Sequence, residues 1–232
     1  TYVIAGDGCL MEGISQEAIS LAGHLGLGKL IILFDDNGIS IDGPTSLSTS
    51  DNQLLRFEAS NWHTLECDGH ASEDIESAIK KSLSDPRPSL IACKTKIGFG
   101  SPNKEGKSSS HGAPMGEEEI QLIRERLGWD YESFDIPQEI LRSWRKNGSR
   151  GSDIRLSWQK KYMKSAYYEE VSDLIANKHI LNIEDNLENY KENLSKDNTS
   201  VATRKSSENV LNELTEKFSN LIGGSADLTG SN

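Results

Sequence analysis

Tyr2-Val3-Ile4-Ala5-Gly6-Asp7-Gly8, with Leu30-Ile31-Ile32-Leu33-Phe34-Asp35-Asp36-Asn37 after it, is the stretch whose reading decides the fold. Each segment is an uninterrupted apolar run that stops on acids or an amide. Runs without polar alternation are the pattern of parallel strands covered on both faces. Between them, Ile14, Ala18, Leu21, Ala22 and Leu25 follow the i, i+4, i+7, i+8, i+11 spacing of one helix face, the stripe expected of a helix packed on a sheet. Gly26-Leu27-Gly28 then ends the helix. Strand–helix–strand crossovers are right-handed, so both strands finish at the same edge, and open α/β sheets bind ligands there. Asp7 and Asn37 converge at that edge as hard oxygen donors for a divalent cation that also holds phosphates.

Working outward, the pattern repeats. Asn52 to Ser60 suits a helix, and Trp62 to Cys67 a third strand stopped by Asp68-Gly69. Ser72 is placed to cap a helix carrying Ile75, Ala78, Ile79 and Leu83, and Leu90 to Thr95 is a fourth strand beyond Pro86 and Pro88. The order β-α-β-α-β-α-β predicts an α/β fold built on a doubly wound parallel sheet. Ile39 and Ile41 are too apolar for a solvated loop and are expected to line a site. Ile97 to Gly116 is long enough to be functional, and Lys104, Lys107 and His111 within it fit a lid over an anion. Glu117-Glu118-Glu119 open a helix whose dipole they complement, with Ile120, Ile123 and Leu127 as its buried stripe.

Pro137 to Ile180 reads as helical. Leu181 to Ser200 reads as an extended linker, and Thr203 onward as an amphipathic helix leading to a strand tip at Leu221. The expected organisation is one α/β domain over 1–180, a linker over 181–200 and the opening of a second α/β domain over 201–232. Thr1 and Asn232 both read as cuts through folded structure, which is the pattern of a fragment. The chain has 232 residues and a net charge of -11, which excludes a nucleic-acid partner because phosphate backbones select basic faces. No apolar run approaches the length of a bilayer span. Three cysteines without metal-ligand spacing fit a reducing, cytoplasmic setting. Cys9 and Cys93 read as small buried hydrophobes.

Gly6-Asp7-Gly8, a gap of just under thirty residues and then Asn37 resemble the thiamine diphosphate fingerprint. Further blocks stand in order behind it: Ser20-Leu21-Ala22-Gly23-His24-Leu25, Asp42-Gly43-Pro44-Thr45, Ile97-Gly98-Phe99-Gly100-Ser101-Pro102-Asn103-Lys104, His111-Gly112-Ala113-Pro114 and Gly223-Gly224-Ser225-Ala226-Asp227-Leu228. Together they resemble the transketolase family, in its bacterial or plant form. The resemblance runs from Thr1 to Asn232 and is weakest between Lys146 and Ser200. It implies that residues 1–180 are the later part of the diphosphate-binding domain and 201–232 the start of the pyrimidine-binding domain.

The resemblance also implies roles. Asp7, the Asn37 side chain and the Ile39 carbonyl resemble the ligands of Mg²⁺, with Ca²⁺ or Mn²⁺ as substitutes. Gly8 would offer a bare backbone N–H to the diphosphate, and Ile41 would pack on the thiazolium. His111 resembles the active-site histidine that touches diphosphate and donor substrate. Arg204 and Ser231 resemble the pair holding the sugar phosphate, Asp227 a cofactor-loop contact, and Glu12 a buried interface glutamate. The activity implied is transfer of a two-carbon ketol unit from a ketose phosphate to an aldose phosphate in the pentose phosphate pathway, by a homodimer of the complete protein. The family's glutamate for the aminopyrimidine lies beyond Asn232, so the fragment alone is expected to be inactive. Dihydroxyacetone synthase, another thiamine diphosphate synthase and a non-catalytic Mg-nucleotide-binding module are the alternatives.

Overall fold

The computed structural model describes residues 1–176, 178, 183–197, 199–218, 220, 221 and 223–225. They form two compact units, Thr1–Asp135 and Ile136–Asn232. The first unit is built on strands β1 (Tyr2–Gly6), β2 (Ile31–Asp36), β5 (His63–Asp68) and β6 (Ser89–Lys94), all parallel in the order β1-β2-β6-β5. A two-stranded hairpin, β3 (Ile39–Ser40) with β4 (Gly43–Pro44), follows β2.

Helices cover both faces of the sheet, because alternate residues of the central strands point opposite ways. Leu90 and Ala92 of β6 face one core with Phe34, Phe57, Trp62, Ile19 and Ala22. Helices α1 (Asp7–Met11), through Leu10, α2 (Gly13–Leu25) and α3 (Gln53–Ala59) cover this face, with Trp62 from the turn before β5. Ile91 and Cys93 face the other core with Ile31, Cys67 and Ala78, the last from α4 (Ser72–Ser84). The doubly wound parallel sheet expected from the sequence is thus the fold. Asn52 caps α3 by accepting the Leu55 N–H at 3.1 Å. Ala71, not Ser72, is the N-cap of α4.

Burial departs from the sequence reading at four places. The α2 face against the sheet carries Ile19, Ala22 and Gly23; Ile14 is 71% and Leu25 58% exposed. The helix is turned because backbone, not side chain, makes its closest contact: a Cβ at Gly23 would lie 1.7 Å from the Ser60 carbonyl oxygen. Trp62 Nε1 also donates to the Ile19 carbonyl at 2.9 Å, fixing the rotation. In α5 (Glu117–Leu127) the buried residue is Glu119, while Ile120 and Leu127 are exposed. Cys9 is exposed rather than buried. β1 is an edge strand, so Tyr2 and Ile4 lack the cover that an unalternating run predicts.

The second unit is helical: α6 (Gln138–Ser149), α7 (Ser152–Tyr162), α8 (Tyr168–Ile175), α9 (Ile183–Asp197) and α10 (Thr203–Lys217). Tyr162 joins α7 to α8, with ring centroids 5.1 Å from Trp158 and 5.0 Å from Tyr168, and its hydroxyl 2.8 Å from Ser172 Oγ. The stretch expected to be an extended linker contains α9. Its Asn, Glu and Lys content hides Ile183, Leu187, Tyr190 and Leu194, which have the i, i+4, i+7, i+11 spacing of a helix. Leu221, expected at a strand tip, lies in irregular backbone with its N–H on the Phe218 carbonyl at 3.1 Å.

The two faces of α2 give a direct test. Gly23→Ala drives a methyl into the Ser60 backbone and should cost about 1–3 kcal/mol, as overpacking does, lowering the melting temperature by several degrees. In this chain by itself, Leu21→Ser on the outward face should change stability by under about 0.5 kcal/mol. Thermal or urea melts of the two variants decide which face is packed.

Candidate cation and diphosphate site

Parallel register puts the strand ends on one line. Gly6 pairs with Asp35, Asp35 with Cys93 and Asp36 with Lys94. Asp7 is the first residue of α1, directly after β1, so its carboxylate sits where the sheet stops. Three acids, Asp7, Asp35 and Asp36, therefore share this edge. Two are settled: Asp36 is paired with Lys94, and Asp35 accepts the Thr95 hydroxyl and Asn37 Nδ2, the latter at 3.0 Å. Asp7 keeps only part of its requirement. Its carboxylate accepts the Gly38 N–H, but Oδ2 is buried without a partner. Burial, then the charges of Asp36 and Asp35, push its pKa up. A half-buried acid with an orphaned oxygen among other acids is the environment that a bound cation would relieve.

Asn37 is held for the same task. Asp35 fixes its amide nitrogen, and its Oδ1 accepts the Ile39 N–H at 2.9 Å, leaving that oxygen a second lone pair. Gly38 between them has φ +68°, the left-handed backbone that lets the chain double back. Ile39 pairs across the hairpin with Pro44, and the Thr45 N–H on the Gly38 carbonyl at 2.9 Å makes this a non-hydrogen-bonded pair, so the Ile39 carbonyl is turned away from the partner strand. One carboxylate oxygen, one amide oxygen and one backbone carbonyl are the hard donors that suit a small octahedral cation with room for phosphate oxygens. Among the described residues no group of three or more His, Cys, Asp or Glu forms a metal cluster; the donor set here is of another composition. Beside Gly8 nothing lies within 4 Å of where a Cβ would be, so its backbone is open to a ligand.

A cleft of about 390 Å³ opens against this edge, lined by Asp7, Asp36, Lys94, Thr49 and Gln53 among others. Gln53 Oε1 is a second buried acceptor without a partner there. A larger cleft of about 630 Å³ lies farther along, over the ends of β5 and β6. Its cations Lys96 and Arg126 are already paired with Glu105, at 3.5 and 3.4 Å.

Structure thus brings together Asp7, Asn37 and Ile39, with Gly8 one residue on. Ile41, at the hairpin tip, is exposed. His111 is also exposed, in the loop after β6, with its N–H on the Ser108 carbonyl at 2.9 Å. Glu12 ends α1 and is exposed. Arg204 lies in the first turn of α10 in the second unit. Asp227 and Ser231 lie outside the described residues. The lysines expected over an anion are tied down instead: Lys104 Nζ donates to the Met115 carbonyl at 2.8 Å and Lys107 Nζ to that of Asn103 at 2.7 Å.

Sequence reasoning missed Asp35 and Thr95, which orient the donors, and Gln53. Only Asp35 left a signal, as a second acid at a strand end. Cys67 and Cys93 are unlinked, Sγ to Sγ 3.6 Å, and burial pushes the Cys93 thiol up to about 12, which makes both inert packing groups.

A parallel α/β sheet with an acid, an amide and a turn at its carboxyl edge belongs to the class of α/β folds that bind ligands at that edge. The family profile described as transketolase, thiamine diphosphate binding domain, matches residues 1–181, and the chain belongs to that family. It is 51% identical over 237 residues to the transketolase of Cereibacter sphaeroides, covering 100% of this chain and 35% of that protein. Against transketolase 2 of Escherichia coli (strain K12) it is 46% identical over 242 residues, covering 100% and 36%. The crystal structure of the Campylobacter jejuni transketolase superposes with a TM-score of 0.85 at 35% identity, covering 100% of this chain and 36% of that one. A Pichia stipitis transketolase complex with sedoheptulose 7-phosphate gives 0.78 at 37% identity, covering 99% and 34%. The chain therefore spans about a third of the length of these relatives.

The orphaned carboxylate predicts a pH dependence. Asp7 has a folded-state pKa raised above its ordinary 3.8, so as pH climbs through that window the unfolded chain ionises first and the metal-free fold loses stability. Asp7→Asn removes this loss. At neutral pH without metal the variant should be more stable by on the order of 1 kcal/mol, the scale of an unsatisfied buried group. At pH 3.5 the difference should vanish. Urea melts of both proteins from pH 3.5 to 7 check it, and a variant less stable at pH 7 would refute it.

Proposed function

We propose that this chain supplies the diphosphate- and metal-binding part of a transketolase, which transfers a two-carbon ketol unit from a ketose phosphate to an aldose phosphate. The observation that carries the reading is the buried, partnerless oxygen of Asp7 beside the fixed amide of Asn37, in a chain 51% identical to a named transketolase. Asp7, Asn37 Oδ1 and the Ile39 carbonyl hold Mg²⁺, a site of hard oxygens that Ca²⁺ or Mn²⁺ also enters. The Gly8 backbone accepts the diphosphate. Bound there, thiamine diphosphate supplies the electron sink for cleaving the ketose C2–C3 bond.

The chain's own groups do the rest. Ile41, an exposed apolar side chain beside the donors, packs on the cofactor ring and keeps water from it. His111 donates hydrogen bonds to, or exchanges protons with, the donor substrate near neutral pH. Arg204 holds a sugar phosphate by its planar fork, together with Ser231. Sugar phosphates as substrates are supported by the Pichia stipitis transketolase complexes with fructose 6-phosphate and sedoheptulose 7-phosphate.

Residues 1–180 are the later part of the diphosphate-binding domain and 181–200 connect it to the pyrimidine-binding domain opening at 201, where Asp227 contacts the cofactor loop. The profile match ending at residue 181 supports that division. The complete protein is a cytoplasmic homodimer. Support comes from the odd cysteine count and from the exposed apolar stripe Ile14, Leu21 and Leu25 on α2, a surface that permanent interfaces bury; Glu12 lies beside it.

Titration calorimetry of the complete protein tests the cation site. Asp7→Ala should abolish Mg²⁺-dependent binding of thiamine diphosphate. Asp35→Ala, which frees the Asn37 amide without removing a donor, should weaken it roughly 10–100-fold, as loss of a ligand-orienting partner does. Chelation of the metal should release the cofactor from the unmodified protein. Unchanged affinity in Asp7→Ala would overturn the assignment.

A further inference from the structure

The loop from Ile97 to Gly116 carries His111; Glu105 accepts the Gly100 N–H at 3.1 Å near its start, and a buried carboxylate, Glu119, holds the turn that follows. Glu119, in the first turn of α5, is 7% exposed, whereas Glu117 and Glu118 beside it lie in solvent. The two exposed acids suffice to complement the helix dipole, so the buried one has another task. It accepts the Ser101 hydroxyl and, at 2.9 Å each, the Asn103 N–H and Asn103 Nδ2. Ser101 Oγ passes the constraint on by accepting the Lys104 N–H at 3.0 Å. From Lys104 it reaches both sides of His111. The Lys104 carbonyl accepts the Ser110 hydroxyl at 2.5 Å, and its ammonium donates to the Met115 carbonyl at 2.8 Å. Ser110 is also packed against the backbone of Gly98, where a Cβ would come within 2.7 Å of its Oγ. The loop is closed at its base by the Gly106 N–H on the Ile97 carbonyl at 2.8 Å.

We propose that Glu119 is a positioning residue for His111: it acts through Ser101, Asn103, Lys104 and Ser110 to hold the imidazole where the donor substrate needs it. The proposal rests on the reading of His111 as the active-site histidine. Three donors converge on Glu119, and no other carboxylate takes part in this chain of bonds. Removing it leaves two N–H groups and a hydroxyl without an acceptor in a partly buried place, and the loop must open to satisfy them. A glutamine there can still accept one or two of the three donors, but its amide group opposes the last.

The test is a double-mutant cycle in the complete protein, loaded with thiamine diphosphate and Mg²⁺, with ketol transfer and cofactor affinity both measured. Glu119→Ala should lower kcat/KM for the donor roughly 10–100-fold, the scale of a misplaced catalytic group, with cofactor affinity within about twofold of wild type. Glu119→Gln should fall between. Because Glu119 acts through His111, the Glu119→Ala/His111→Ala double variant should be no slower than His111→Ala alone. Losses that multiply, a Glu119→Ala enzyme as fast as wild type, or one whose cofactor affinity falls in step with its rate would each overturn the proposal. A His111→Ala enzyme as fast as wild type would instead defeat the reading of His111, and the proposal with it. If Glu119→Ala does not fold, Ser110→Ala decides: it cuts the last link and leaves Glu119 and its three bonds in place. Ser110→Ala should show the same loss of kcat/KM, and wild-type kinetics would overturn the proposal.

Discussion

Pairing of Gly6 with Asp35 and of Asp35 with Cys93 lines up three strand ends, and that register forces Asp7, Asp35 and Asp36 into one another's field. Like charges at close quarters in a partly desolvated place oppose ionisation, so each must be answered or remain a cost. The sheet answers two from its next strand: Lys94 and Thr95 at the end of β6 take Asp36 and Asp35. Among the described residues nothing answers the buried Oδ2 of Asp7. The imbalance is local and follows from the order β1-β2-β6, since β1 stands at the edge and β6 is one strand too far away to reach across. A cation placed at Asp7 would complete the compensation that the sheet leaves unfinished.

Around this point the chain gives up regular structure where a donor must be exposed. α1 lasts five residues before Glu12 takes an extended conformation and α2 begins. β2 runs into Asn37-Gly38, where a left-handed glycine reverses the path. Pro44 then stands opposite Ile39 in a non-hydrogen-bonded pair, which turns the Ile39 carbonyl away from the hairpin partner. These interruptions gather around one orphaned carboxylate oxygen, the buried Oδ2 of Asp7, in a place where buried polar groups are otherwise nearly always paired.

The sequence made the strands and their common edge legible because apolar runs ending on acids have few other readings. It also made Asp7 and Asn37 legible, because strand ends are where α/β folds place ligands. What it could not convey was which side of a helix meets the sheet when backbone makes the contact. Gly23 has no side chain to count, yet its contact with Ser60 turns α2 by enough to expose Ile14, Leu21 and Leu25. Composition misled in α9, where four apolar residues at helical spacing were outnumbered by Asn, Glu and Lys. Partners distant in sequence were equally hidden. Thr95 and Asp35 are sixty residues apart, and only the insertion of β6 beside β2 makes them neighbours.

Asp7 and Glu119 make the distinction between the two halves of the candidate site physical. Both are acids at the start of a helix, and the sequence reads Asp7 as a cation ligand but Glu119 as no more than a complement to the dipole. Their surroundings push them in opposite directions. The Ser101 hydroxyl, followed by the side chain and backbone of Asn103, holds the Glu119 carboxyl down at about 2, so it is ionised throughout the range in which proteins work and its bonds are permanent. Burial and neighbouring acids push Asp7 up and leave an oxygen unpartnered, so its charge awaits a counterion. A satisfied carboxylate stiffens the segment it holds, and an unsatisfied one recruits what it lacks. The loop bearing His111 is therefore shaped before any ligand arrives, whereas the strand edge would gain stability from a cation bound at Asp7.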